Sequence, residues 1–320
     1  MHLLVTGSSG LIGTALVDAA VARGDTVTRL VRRSPAPADS AQPAGVRDVT
    51  WDPDAGHVDL DALTAGGPVD GVVHLAGAGV GDKRWTPARK RVIVESRTRG
   101  TDLVARTVAD LDPRPAVLVS ASAVGWYGDR GDDVLDESEP AGSGFLAGVC
   151  VEWEAATVPA EAAGVRTVHL RTGIVLSPTG GALAKQLPLF RLGVGGRIGS
   201  GRQYRSWITL DDEVAAILHC LDAADLSSAV NATAPAPATD AELARALGAA
   251  LHRPAVLPVP AAALKVALGT EMATDMVLAS QRAVPSRLTA SGAGGPACRP
   301  HRTRPWPRPR GATSTAGTVR

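Results

Sequence analysis

Aromatic side chains are scarce in this chain of 320 residues, at 3%, with only two tyrosines and two phenylalanines. A mechanism that needs a tyrosine therefore has two candidates, Tyr127 and Tyr204. Cysteine is scarcer still in structural terms. Cys150, Cys220 and Cys298 are odd in number and far apart, which suits a reduced cytosol better than a disulfide framework, and no metal-ligand spacing is present. No apolar run approaches the ~20 residues needed to cross a bilayer. No secretory stretch precedes the apolar residues that begin at position 2, so the expectation is a cytoplasmic protein without a membrane partner. A charge of one sign is also missing: 33 basic residues face 32 acidic ones, for a net +1. Six of the arginines fall in 293–320, which has no carboxylate side chain, so the rest of the chain is mildly acidic. That gives no electrostatic case for nucleic acid.

Apolar residues are plentiful, at 45%, enough for a large core. The most informative stretch is 2–13. Leu3, Leu4 and Val5 have the composition of a buried strand, and they run into Gly7-x-x-Gly10-x-x-Gly13. Leu11, Ile12, Leu16 and Ala20 then recur at helical spacing, closed by Gly24. A strand, a glycine-rich turn and a helix make a pyrophosphate site from the helix's free N–H groups. This context separates a dinucleotide fingerprint from an ordinary turn. A second strand, Thr26–Val31, ends in Arg32-Arg33, about twenty residues beyond the last glycine. An acidic residue at that place selects NAD, whereas arginine accommodates a 2′-phosphate, so NADP(H) is the expected cofactor. Further strands are expected at 49–52, 70–77, 116–120 and 165–176, with a helix over 86–111. Strands alternating with helices predict an α/β fold, a doubly wound parallel sheet of Rossmann type.

Several segments carry a resemblance. Thr6-Gly7-x-x-Gly10-x-x-Gly13, Asp70-x-Val72-x-His74-Leu75-Ala76 and Ser122-x-x-x-x-Tyr127-Gly128 resemble the extended short-chain dehydrogenases/reductases. Trp51-Asp52-Pro53, Asp82-Lys83-Arg84-Trp85, Trp153-Glu154 with the residues before it, and Gly195-Gly196-Arg197 with the glycines after it narrow this. They resemble an atypical, nucleoside-diphosphate-sugar epimerase-like branch with a small C-terminal domain of unknown function. The likeness spans 2–292. It implies that Thr6, Gly7, Ser9, Gly10, Leu11, Ile12 and Gly13 surround the cofactor. It also implies Asp52 near the adenine ring, and Leu75, Ala76 and Gly77 along the cofactor, the last two beside its ribose.

The superfamily's chemistry needs a tyrosine acid/base with a lysine four residues on, because an unassisted phenol at pKa about 10 is a poor base near neutrality. Neither tyrosine here has such a lysine. Anchoring on Trp153-Glu154 puts Leu146 at the tyrosine's place and Cys150 at the lysine's. The usual hydroxyl falls on Ala123, one residue from Ser122. Three readings follow. Ser122, Tyr127, Cys150 or Lys83 does modified chemistry; or the protein binds NADP(H) without turnover, as a sensor or scaffold; or Tyr127 swings in. Ser122 and Tyr127 are the catalytic candidates.

In the second half, 177–210 reads as a substrate-side loop. Its register resembles the segment where sugar-nucleotide epimerases hold the substrate diphosphate, which implies Arg202 and Arg205 as a bidentate clamp, the rival being a solvated loop anchored by Trp207. Asp211-Asp212 suit a helix N-terminus better than a metal site, and no metal is expected. Residues 1–230 are expected to form the NAD(P)-binding domain and 231–292 the small domain, with a linker-like loop from Asn231. Residues 293–320, with five prolines and six arginines, are expected to have no stable fold, and the abrupt loss of resemblance after Gly292 admits a shifted reading frame. The expected partner is a small-molecule substrate, and a homo-oligomer is left open. The function expected is an NADP(H)-dependent epimerase or reductase, acting on a nucleotide sugar or a similar carbonyl or hydroxyl substrate. The alternative is a catalytically silent regulator.

Overall fold

The computed structural model describes residues 1–32 and 43–292. Arg33 and the segment 293–320, with the expectations attached to them, lie outside the described residues. The apolar pattern of the N-terminus becomes β1 (His2–Thr6), α1 (Leu11–Arg23) and β2 (Thr26–Val31). Gly24 ends α1 in the left-handed region, φ 90°, returning its N–H to the Ala20 and Val21 carbonyls. β3 (Val46–Asp52), β4 (His57–Val58), α2 (Leu60–Thr64) and β5 (Gly71–His74) follow. The 24-residue α3 (Pro87–Asp110) starts where Thr86 caps the Arg89 N–H and proline occupies the first turn. It leads to β6 (Val117–Ala123).

Next come β7 (Val134–Leu135), α4 (Phe145–Ala155), α5 (Val158–Ala162) and β8 (Arg166–Thr172). The stretch expected as one strand over 165–176 breaks at Gly173. Beyond it, β9 (Ile174–Leu176) leaves the main sheet. A Cβ at Gly173 would come within 2.7 Å of the Ser206 carbonyl oxygen, so the bend depends on close backbone approach. The expected loop over 177–210 holds a helix, α6 (Gly181–Arg191), and two short strands, β10 (Tyr204–Arg205) and β11 (Trp207–Thr209). Leu183, Leu187 and Phe190, at four- and three-residue steps, bury one face of α6 despite Pro188 within it.

α7 (Leu210–Asp222) begins at a Thr209 cap with Asp211, Asp212 and Glu213 in its first turn. β12 (Ser228–Ala232) runs where a linker was expected to begin, and it carries the sheet two residues past position 230. β13 (Ala238–Thr239), α8 (Asp240–Leu251), α9 (Ala261–Leu268), helical turns over 270–278, β14 (Arg282–Ala283) and a last short helix, α10 (Ser286–Ala290), complete the described C-terminal part. Thr239 and Glu242 form a reciprocal capping box on α8.

Eight strands form the main sheet in the order β12-β8-β6-β5-β1-β2-β3-β4, and only β4 is antiparallel. Alternate strand residues feed two cores. Leu3, Val5, Val73 and Val119 pack with α1 and α7, whereas Leu4, Val72 and Leu118 pack with α3 and α5. The strand order reverses between β1 and β5, where a doubly wound sheet opens its crevice at the carboxyl ends. The C-terminal part joins the larger one by strand pairing, β10 with β13 and β14 with β7.

Candidate functional site

The two strand ends at the switch point are clasped from inside. Thr6 Oγ1 lies 2.8 Å from His74 Nδ1 and accepts the Leu75 and Ala76 N–H groups at 3.1 and 3.3 Å. Thr6 is thus fully buried beneath the crevice floor. His74 is also sealed, and burial together with the nearby Arg97 charge lowers its pKa to about 4, so it is neutral.

The three glycines serve different ends. Gly7 sits at φ +67°, and a Cβ there would come within 2.7 Å of the Leu75 carbonyl carbon. A Cβ at Gly13 would overlap the Gly7 carbonyl oxygen. Both are required by packing. Gly10 is different. Its backbone is extended, it is exposed, and a Cβ there would touch only the Gly7 oxygen, at 3.3 Å. No side chain caps α1 at Gly10, so the first-turn N–H groups of Leu11, Ile12 and Gly13 face an open cradle. Packing within the chain leaves that space free, and it fits a pyrophosphate held by a helix N-terminus.

Around this cradle, Ser9 is exposed, Leu11 and Ile12 are half-buried, and Leu75, Ala76 and Gly77 continue from β5 toward its rim. Arg32 is exposed at the end of β2. Asp52 is exposed at the end of β3, where its Oδ1 accepts the N–H groups of Asp54 and Ala55 at 2.9 and 3.1 Å.

The catalytic candidates sit in a different setting. Ser122 donates to Glu154 Oε1 at 2.7 Å. Arg171 grips both oxygens of the same carboxylate, each at 2.9 Å, and donates to Tyr127 Oη at 3.2 Å. That hydroxyl lies 2.8 Å from Asn231 Oδ1 and 3.0 Å from the Asp136 carbonyl. The Arg171 guanidinium also stacks 3.9 Å from the Trp126 ring centroid. All of Ser122, Tyr127, Glu154, Arg171 and Asn231 are buried. Burial raises the Tyr127 pKa, which keeps the phenol protonated. The structure therefore brings Ser122 and Tyr127 together as two ends of one buried ion-pair network. Cys150 is buried as well, and its thiol is pushed up to about 12 by burial and then by Glu154, which removes thiolate character. Lys83 is exposed.

Next to α4 lies a cavity of about 170 Å³. It is enclosed by Gly125 and Gly128 on one side, Ser143 to Ala147 on a second, and Thr274 to Gln281 on a third. Asp129 and Asp275 line it, and among the described residues no basic side chain does. Asp275 Oδ2 accepts the Phe145 N–H at 2.8 Å, capping α4 from the C-terminal part. Leu146, expected at the tyrosine's place, lines this cavity.

The expected arginine clamp is divided. Arg202 is exposed, but Arg205 turns inward. Its Nε donates to Asp240 at 3.3 Å and its Nη2 to the Val277 carbonyl, so its guanidinium serves the junction with α8. Sequence reasoning also missed the partners Glu154, Arg171 and Asn231 as a network. A signal existed for Arg171: an arginine within the apolar strand Val168-His169-Leu170-Arg171 must find an anion. Asp275 gave no such signal.

Known proteins share this architecture. The pattern of the NAD dependent epimerase/dehydratase family matches residues 3–232, and that of a domain of unknown function (DUF1731) matches 259–292. An epimerase family protein of Mycobacterium tuberculosis is 46% identical over 288 residues, 90% of this chain and 91% of the relative. The crystal structure of human epimerase family protein SDR39U1 with NADPH superposes with a TM-score of 0.80 at 33% identity, covering 91% of this chain and 94% of that one. A nucleoside-diphosphate sugar epimerase from Corynebacterium glutamicum gives 0.70 at 35% identity, over 91% of this chain and 54% of the other. Among the described residues, no helix is long and apolar enough to cross a membrane. With its glycine cradle at the switch point of a parallel sheet and a family pattern running through nearly all of that sheet, the chain belongs to the NAD dependent epimerase/dehydratase family.

Proposed function

We propose that the protein binds NADP(H) in the crevice above β1 and β5 and acts as an epimerase-like oxidoreductase on a small carbonyl or hydroxyl substrate. The observation that carries this reading is Gly10, an exposed position where a Cβ would meet only the Gly7 oxygen, at 3.3 Å, and whose bare backbone leaves the α1 N–H groups open. The exposed Arg32 at the end of β2 supports the 2′-phosphate form of the cofactor. NADPH bound to the human relative supports the same choice. Bound there, the dinucleotide would supply hydride chemistry. The protein's own part is to hold its phosphates on α1 and to seat the substrate beside it.

The substrate seat in this reading is the cavity between α4 and residues 274–281. Its two carboxylates and lack of basic side chains suit a neutral, hydroxyl-rich group such as a sugar ring rather than a phosphate. Any phosphate of a nucleotide sugar would fall to exposed arginine, of which Arg202 is the candidate. A second reading, a catalytically silent NADP(H)-binding regulator, is favoured by one specific observation. The hydroxyls of Ser122 and Tyr127 are both engaged in the Glu154–Arg171 network.

Fluorescence titration separates the cofactor forms: NADPH is expected to bind more tightly than NADH, and Arg32→Asp to narrow or reverse the gap. Equal dissociation constants would sink the NADP(H) choice. NADPH consumption with a panel of sugar and simple carbonyl compounds then divides the enzyme from the silent binder.

A further inference from the structure

Arg97 projects from α3 into the space between that helix, α4 and the end of β5. It is only 9% exposed, yet among the described residues it has no carboxylate partner. Its Nη1 donates to the Ala78 and Ile93 carbonyls, at 2.9 and 3.1 Å. Its Nε and Nη2 make no hydrogen bond with any described residue. The guanidinium lies 4.7 Å from the Trp153 ring centroid. A Cβ at Gly77 would sit 3.4 Å from Arg97 Cγ and Cζ, so only a glycine separates the cation from the crevice rim.

The surrounding charge leaves this cation uncompensated. The nearby anion, Glu154, is gripped by Arg171 on both oxygens. Cys150 is a neutral thiol and His74 a neutral imidazole. Burial and the neighbouring Arg89 lower the Arg97 pKa to about 10, which still leaves it charged near neutrality. Nε and Nη2 carry three N–H groups with no acceptor among the described residues, and neither atom is sealed from solvent, so acceptor oxygens entering the crevice can reach them. Cys150 and Trp153 are one helical turn apart on α4, and Cys150 stands where a lysine was sought. The cation is thus displaced from α4 to α3, onto the same surface.

Resting on the NADP(H) reading above, we infer that Arg97 is a cofactor-binding residue whose Nε and Nη2 donate to the hydroxyl oxygens of the ribose on the nicotinamide side of the dinucleotide. A planar fork with two parallel N–H groups matches vicinal oxygens, which a single ammonium matches less well.

Calorimetric titration with two probes tests this. NADPH contains both ribose units, whereas adenosine 2′,5′-bisphosphate contains only the adenosine end. Arg97→Met is expected to weaken NADPH by about tenfold or more, equivalent to about 1.4 kcal/mol. It is expected to leave the bisphosphate within about twofold. Arg97→Lys keeps the charge and is expected to fall between, and it carries the test should the methionine variant fail to fold. Unchanged NADPH affinity in the variants overturns the inference. So does an equal loss for both probes, the result of a guanidinium that only braces the Ala78 carbonyl. A wild-type protein that binds neither probe overturns the NADP(H) reading itself, and the inference with it.

Discussion

The two ends of the crevice are built on opposite plans. At the β1–α1 end, backbone groups are open and side chains are absent: Gly10 leaves a cradle and α1 has no cap. At the β6–β8 end, every hydroxyl expected to do chemistry is tied to a buried ion pair. The first end leaves backbone donors without acceptors among the described residues, and the second satisfies itself. One crevice thus pairs an end whose polar groups are open with an end whose polar groups hold one another.

That contrast breaks most sharply at Arg171. Arg171→Met leaves Glu154 buried without its counter-charge, and the expected loss is about 3–5 kcal/mol of unfolding free energy in urea. A loss below about 1 kcal/mol would mean that the network is not structural. The next effect separates two glycines of one motif. Gly13→Ala drives a methyl group into the Gly7 carbonyl and is expected to cost about 3 kcal/mol. Gly10→Ala is expected to cost less than about 1 kcal/mol of stability while weakening NADPH at least about tenfold. Normal NADPH affinity in Gly10→Ala would remove the cradle from the site.

A third measurement follows pH. Glu213 is buried on α7, accepts from Thr172 Oγ1 at 2.8 Å, and leaves its other oxygen without a partner. Burial raises its pKa from 4.5 to about 8, so the fold holds its proton more tightly than the unfolded chain does. Its contribution to stability is fully present below pH 4.5 and is lost as pH rises through about 8. Denaturation midpoints are expected to fall over that window, and Glu213→Gln to flatten the fall. An equal slope in the variant would assign it to another group. The smallest effects belong to the hydroxyls themselves. Ser122→Ala and Tyr127→Phe are each expected to cost about 1–2 kcal/mol and to leave NADPH affinity within about twofold. Loss of cofactor binding at full stability would move either hydroxyl into the site.

What the sequence made readable was local chemistry. Glycine spacing placed the turn before α1 and Gly24 its end, because each of these acts on its own few neighbours. What it hid depended on distant contacts. Pro235 and Pro237 made the stretch from Asn231 look like a linker, yet Asn231 belongs to β12 and its side chain is buried between Tyr127 and the Val284 carbonyl. Pro188 and the flanking glycines concealed α6, whose apolar face is packed in the fold. Arg205 looked like a surface cation until Asp240, 35 residues on, was brought beside it. Arg97 was one arginine among several on α3, and only its burial distinguishes it from the solvated ones. The glycine turn and the helix start after it were readable because their signal is backbone geometry. The reacting end was readable only as a departure from a pattern.

The cap that Asp275 places on α4 has a consequence for synthesis. The carboxylate and the Phe145 N–H that it receives are 130 residues apart, so the helix emerges from the ribosome long before its cap. At about 5–20 residues per second, that gap is on the order of ten seconds. During that interval the parallel sheet up to β8 can assemble, but the third wall of the cavity does not yet exist. The third wall of the cavity is therefore made late in synthesis, and a nascent chain stalled before residue 275 would carry the crevice between β1 and β5 with the neighbouring cavity still open.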